Sequence, residues 1–79
     1  MNTEETPLER AVIREIRAEM AANEWTQAQL AEKVGVGREA MNRYLKGRAA
    51  MPFPIVLEIS RAFGLSQTEL IVRAENRLR

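Results

Sequence analysis

Apolar residues recur along this chain at helical spacing, in five blocks separated by glycine, proline and capping residues. Leu8, Val12, Ile16 and Met20 repeat at i+4, with Ile13 widening the stripe, which predicts an amphipathic helix over about 7–22. Thr6 followed by Pro7 is an N-cap with proline at the first helical position. Arg10, Arg14 and Arg17 fall away from the centre of the stripe. Thr26-Gln-Ala-Gln29 has the form of a capping box. It opens a short helix, about 27–34, that buries Leu30, Ala31 and Val34, with Trp25 stapled to Leu30 at its entrance. Gly35 stops that helix in the left-handed conformation. A third helix, about 38–46, starts at the N-cap Gly37, turns Met41, Tyr44 and Leu45 inward and stops at Gly47. After a loop carrying two prolines, a fourth helix, about 54–63, buries Val56, Ile59 and Phe63. Ser66-Gln-Thr-Glu69 is a second capping box and opens a fifth helix, about 67–77, with Leu70, Ile71, Ala74 and Leu78 apolar. No useful period-2 alternation appears, so the expected fold class is all-α, a single five-helix domain over 7–79. Residues 1–6 lack a hydrophobic anchor and are expected to fray.

With 79 residues the chain has room for one small domain with a thin core, burying only roughly 60% of its unfolded surface. It has no Cys, His or Asp. That removes disulfides and structural zinc, and with them a thiol nucleophile, a zinc hydrolase and an imidazole base. Ser60 and Ser66 have no His or Asp to activate them. The expectation is a protein that is not an enzyme and holds no cofactor, metal or small-molecule ligand. The longest aliphatic runs, Ile55-Val56-Leu57 and Leu70-Ile71-Val72, are too short for a membrane span or a signal-peptide core.

The net charge of +1 conceals an asymmetry. Lys33 to Arg48 holds five basic residues and one acidic, Glu39, for +4, while the rest holds seven basic and ten acidic, for −3. Such a segment is either a polyanion-binding face or a solvated helix surface. It coincides with Gln27–Lys46, where two short helices meet at a three-residue turn. Ala31 allows close approach, Gly35 makes the turn and Val36 plugs it, while Leu30, Val34, Met41 and Tyr44 fill the angle. This is the physical recipe for a helix-turn-helix, which projects its second helix from the surface.

From Trp25-Thr-Gln-Ala-Gln-Leu-Ala-Glu-Lys-Val-Gly to Gly47-Arg48 the chain resembles the lambda-repressor-like (Cro/repressor, XRE-type) helix-turn-helix regulators. Ile59-Ser-Arg-Ala-Phe-Gly-Leu-Ser66 and Glu69-Leu70 resemble that family's fourth and fifth helices, and the likeness spans about 8–72. The resemblance implies a recognition helix at Arg38–Lys46, with Arg38, Glu39 and Arg43 reaching base edges and Asn42 as a further such position. It also implies phosphate contacts at Thr26 and Gln27, at the start of the second helix, and at Lys46 and Arg48, in the turn after the third.

The side-chain chemistry fits those roles. Arginine matches the O6/N7 edge of guanine, asparagine suits adenine, and a carboxylate can accept from cytosine N4. Glu39 has two readings: it reads a base, or it tethers Arg43, to which it stands i,i+4 in the favourable order. Arg38 and Arg43 have a phosphate contact as their alternative. Trp25 is either core or a stacking platform, and Tyr44 is core or a phosphate donor through its hydroxyl. Two positions depart from the family pattern. Its helix-one Arg and helix-three Glu are Met20 and Leu45 here, a paired exchange that need not harm the fold. Gly37 replaces a usual Ser or Thr.

These features imply a sequence-specific double-stranded DNA-binding regulator, a repressor of the phage Cro-like or immunity type, in the cytoplasm of a bacterial or phage-infected cell. A homodimer on a palindromic operator is expected, with Met51, Phe53, Leu70, Ile71, Ala74 and Leu78 as its interface. The alternative for the helix-five stripe is that it covers the core. The alternative function is an antitoxin-type protein-interaction module in which DNA binding is secondary. The chain has no second domain for effector sensing, so control is expected from expression level, competition or a partner.

Overall fold

The computed structural model describes residues 6–79. They form α1 (Pro7–Asn23), α2 (Gln27–Val34), α3 (Arg38–Leu45), α4 (Phe53–Ala62) and α5 (Gln67–Asn76), with no strand among the described residues. The fold is the all-α, five-helix arrangement the pattern predicts. Of the segment expected to fray, residues 1–5 lie outside the described residues, while Thr6 is the N-cap of α1.

Capping chemistry sets most of the boundaries. Thr6 and Glu9, Thr26 and Gln29, and Ser66 and Glu69 each close a reciprocal capping box. In each, the N-cap hydroxyl accepts from the N3 backbone N–H, and the N3 side chain accepts from the N-cap N–H at 2.7 Å. In the third box, the backbone N–H of Ser66 and then its hydroxyl hold the Glu69 carboxyl below its usual range. A depressed pKa in the folded state stabilises α5 above the ordinary carboxylate range, and that contribution is lost as pH falls through the lowered value.

Two boundaries differ from the sequence expectation in an informative way. Helix α4 starts at Phe53, not at 54, because Pro52 serves as its N-cap and Pro54 then falls in the first turn, where no N–H is required. Helix α1 ends at Glu24, which adopts the left-handed conformation (φ 57°) without being glycine, so its stop carries no sequence signal.

The core is drawn from every helix. Ala11, Val12, Ile16 and Met20 of α1 meet Leu30 and Ala31 of α2, Met41 and Leu45 of α3, Ile59 of α4, and Leu70 and Ala74 of α5. Helix α5 packs chiefly on α1. The buried face of α1 is rotated from the predicted stripe: Ala11 and Glu15 are buried, whereas Leu8 and Ile13 are only partly covered. Leu70 and Ala74 are fully buried. Their assignment to a dimer interface is therefore corrected, since a side chain already enclosed by α1 cannot face a second subunit.

Glu15 is the buried carboxylate of the core, and Arg77 Nε donates to its Oε1 at 2.7 Å. One turn along α1, Arg73 Nη1 donates to Glu19 Oε2 at 2.6 Å. The two pairs run antiparallel and clasp α5 to α1. Ser60, also buried, donates its hydroxyl proton to the Val56 carbonyl at 2.9 Å. Met20 and Leu45 are both buried, as the paired apolar exchange requires.

The Glu15–Arg77 pair yields a direct test. Arg77 is 40% exposed and Glu15 only 8%, so removing the arginine strands a carboxylate that water reaches poorly. Arg77→Ala is expected to lower unfolding stability by about 1–2 kcal/mol, below the cost of breaking a fully buried pair. Adding Glu15→Gln should recover part of that loss in urea titrations. An Arg77→Ala protein as stable as the parent would show that the pair contributes nothing.

Candidate nucleic-acid interface

The angle between α2 and α3 is built by three residues in sequence. Gly35 caps α2 at φ 74°, Val36 donates its N–H to the Ala31 carbonyl at 2.9 Å, and Gly37 resumes extended backbone as the N-cap of α3. Ala31 is buried and small, so the chain returns close beneath α2. Met41 and Leu45, four apart, are anchored in the core and fix the rotation of α3 about its own axis. That rotation turns Arg38, Glu39 and Arg43 into solvent and leaves Asn42 half-exposed.

Arg38, Glu39, Asn42 and Arg43 line one shallow, open depression together with Gln27 of α2. All four positions expected to reach base edges are thus brought together. Gln27, expected among the phosphate contacts, stands beside them at the start of α2. Among the described residues, Glu39 and Arg43 form no ion pair with each other or with any other group, so the tether reading of Glu39 is not realised in this structure. The Thr26 hydroxyl accepts from the Gln29 N–H, which leaves its own proton to donate outward. Lys46 is the C-cap of α3, and both it and Arg48 are exposed. Thr26 stands at the N-terminus of α2 beside Gln27, and the Lys46–Arg48 turn follows the C-terminus of α3.

Trp25 is engaged internally. Trp25 stacks on Phe63 with ring centroids 5.1 Å apart and planes 16° from parallel, and Lys33 Nζ sits 4.5 Å from the Trp25 ring. The stacking-platform reading of Trp25 is therefore replaced by the core reading. Among the described residues there is no cluster of acidic, His or Cys side chains that could hold a metal. No described helix is long and apolar enough to cross a membrane.

A second concavity, of about 510 Å³, lies between the N-terminal half of α1, the α3–α4 loop and the start of α5. Its lining is mainly apolar, including Leu8, Val12, Met51, Phe53 and Ile71, with Glu9 and Arg48 also on its wall. Phe53 is 57% exposed. Leu78, grouped with these residues in the sequence reading, is exposed beyond the end of α5 and does not line this groove.

Comparison with known proteins agrees with this geometry. Residues 11–70 match the family described as helix-turn-helix domain. Two crystal structures of the clp gene regulator ClgR from Corynebacterium glutamicum superpose on the chain with a TM-score of 0.79 each, at 21% identity. One alignment covers 89% of this chain and 74% of that one, the other 95% and 97%. At that identity the likeness establishes the shared fold. Comparison with curated proteins finds no match.

The turn itself is testable. A Cβ added at Gly35 meets nothing within 4 Å, so only backbone strain opposes a side chain there. Gly35→Ala is expected to cost about 1–2 kcal/mol in chemical denaturation, and Gly35→Asn less, because asparagine tolerates the left-handed region. Equal stability of Gly35→Ala and the parent would mean that the turn relaxes away from this geometry.

Proposed function

The chain belongs to the helix-turn-helix domain family, and from that premise we propose that it is a sequence-specific, double-stranded DNA-binding transcriptional regulator that acts as a repressor. The observation that carries the proposal is the depression shared by Gln27, Arg38, Glu39, Asn42 and Arg43 at the exposed side of α3. In this reading α3 enters the major groove. Arg38 and Arg43, five residues apart, address different guanines, and Asn42 addresses an adenine. Glu39 has no internal partner among the described residues, which favours acceptance from a cytosine amine over tethering. Thr26, Lys46 and Arg48 hold phosphates on either side. Repression follows from occupying a promoter, and no step requires enzyme chemistry.

Size argues for a dimer. One short helix reads four or five base pairs, and a site that short recurs by chance roughly every 250–1,000 base pairs, so it cannot single out one site among the ~10⁶ or more of a bacterial-size genome. A second subunit doubles the discriminating free energy. The proposed face is the groove that Met51, Phe53 and Ile71 line, since an isologous contact needs a knob and a hollow on the same surface. The groove is also the feature that favours the second reading, an antitoxin-type module holding a different protein there.

Two measurements separate these roles. Arg43→Ala is expected to relax sequence preference at one base pair by roughly 1–3 kcal/mol in binding-site selection. Lys46→Ala should weaken preferred and random duplexes alike and reduce the salt slope by about 0.9. Equal losses on both duplexes for Arg43→Ala would move that residue to the phosphate group. For assembly, sedimentation on a palindromic duplex is expected to give two chains per duplex at saturation. Phe53→Glu should remain folded and bind only with half-site affinity. One chain per duplex for the parent protein would overturn the dimer.

A further inference from the structure

We propose that Arg17 is a positioning residue for the DNA-reading helix: it ties the C-terminal end of α3 to α1 and so sets the angle at which α3 meets the groove. The proposal rests on the DNA-binding reading above. Helix α3 is eight residues long, too short to hold itself, and its last carbonyls have no partner within the helix. The turn that follows satisfies three of them. Lys46 N–H donates to Asn42, Gly47 N–H to Tyr44 and Arg48 N–H to Arg43. The Leu45 carbonyl is satisfied from elsewhere: Arg17 Nη2 donates to it at 2.7 Å across 28 residues of sequence.

The geometry makes this contact more than a surface hydrogen bond. The N-terminal end of α3 is fixed covalently by the tight turn at Gly35, but its N-cap, Gly37, offers no side-chain hydrogen bond. Met41 and Leu45 fix the rotation of α3, yet apolar contacts slide more readily than a directed bond. The guanidinium on the Leu45 carbonyl therefore opposes tilting of the far end of α3, about 12 Å from the turn. A cation at a helix C-terminus is also favoured by the helix dipole. Because the acceptor is main chain, the tie needs no polar side chain at position 45. Tilting would move Arg43 and Asn42, in the last turn of α3, and Lys46 and Arg48 beyond it, further than Arg38 at its start; a flexible charge on a phosphate tolerates that displacement better than a bidentate base contact, so loss of the tie should fall on sequence reading before it falls on phosphate contact.

The test compares Arg17→Ala, Arg17→Lys and the parent protein on the duplex preferred in binding-site selection and on random duplex, over a range of salt. Arg17→Ala is expected to lose about tenfold on the preferred duplex, the size of one charged hydrogen bond, and less than about twofold on random DNA. Its salt slope should be unchanged. Arg17→Lys, which keeps a cationic donor, should recover most of the loss. Melting temperatures show whether each variant is folded, and if Arg17→Ala is not, Arg17→Lys against the parent still has to retain the preference. Equal losses on both duplexes with a shallower salt slope would make Arg17 a phosphate contact, and no loss at all would show that the bond sets nothing. If the parent protein prefers no duplex, the DNA reading itself fails and this proposal falls with it.

Discussion

The structure depends on the burial of two side chains on the eight-residue helix α3. Met41 and Leu45 are inserted into the core, and because they are four residues apart they leave α3 a single rotation about its axis. That rotation decides which residues meet solvent. A one-residue slip in this register would turn Asn42 inward and expose an apolar side chain in the middle of the basic segment. Everything beneath α3 can be understood as support for that pair: Leu30 and Ala31 from α2, Ile16 and Met20 from α1, Ile59 from α4. Burial therefore has a directional consequence here as well as an energetic one.

A chain without cysteine must close its small core without disulfides, and α1 is the platform on which it does so. Helix α5 lies against it through Leu70 and Ala74 and is clasped at the edge by the pairs Glu15–Arg77 and Glu19–Arg73. Three reciprocal capping boxes hold the starts of α1, α2 and α5. Helix α3, which like α4 lacks a side-chain cap, is secured at its other end by the long-range hydrogen bond from Arg17.

What was legible in the sequence was what is encoded locally. The Thr26–Gln29 and Ser66–Glu69 boxes, the Gly35 turn and the grouping of Arg38, Glu39, Asn42 and Arg43 follow from spacings of three to five residues. The Thr6–Glu9 box has the same spacing, with the proline at the first helical position between them. Non-local features were not legible. The burial of Glu15 has no local signal, because its partner is 62 residues away. The Arg17 contact is invisible in any side-chain pattern, since its acceptor is a carbonyl. On α5, Leu70 and Ala74 form one stripe and Ile71 lies on the next, and only the docking of α1 decides which is buried. Trp25 and Phe63 stack across 38 positions of sequence that no periodicity connects.

The exposed side of α3 has a consequence for how such a chain can change over generations. Arg38, Glu39 and Arg43 protrude from the fold without an ion-pair partner among the described residues. Replacing them withdraws little from the free energy that keeps the chain folded. Met41 and Leu45, interleaved with them along the same eight residues, are under the opposite constraint. Mutational tolerance and intolerance therefore alternate within one short helix, in step with its 3.6-residue period. A population of such chains can explore new surface chemistries at 38, 39 and 43 at almost constant stability, while the scaffold that aims those positions is inherited unchanged.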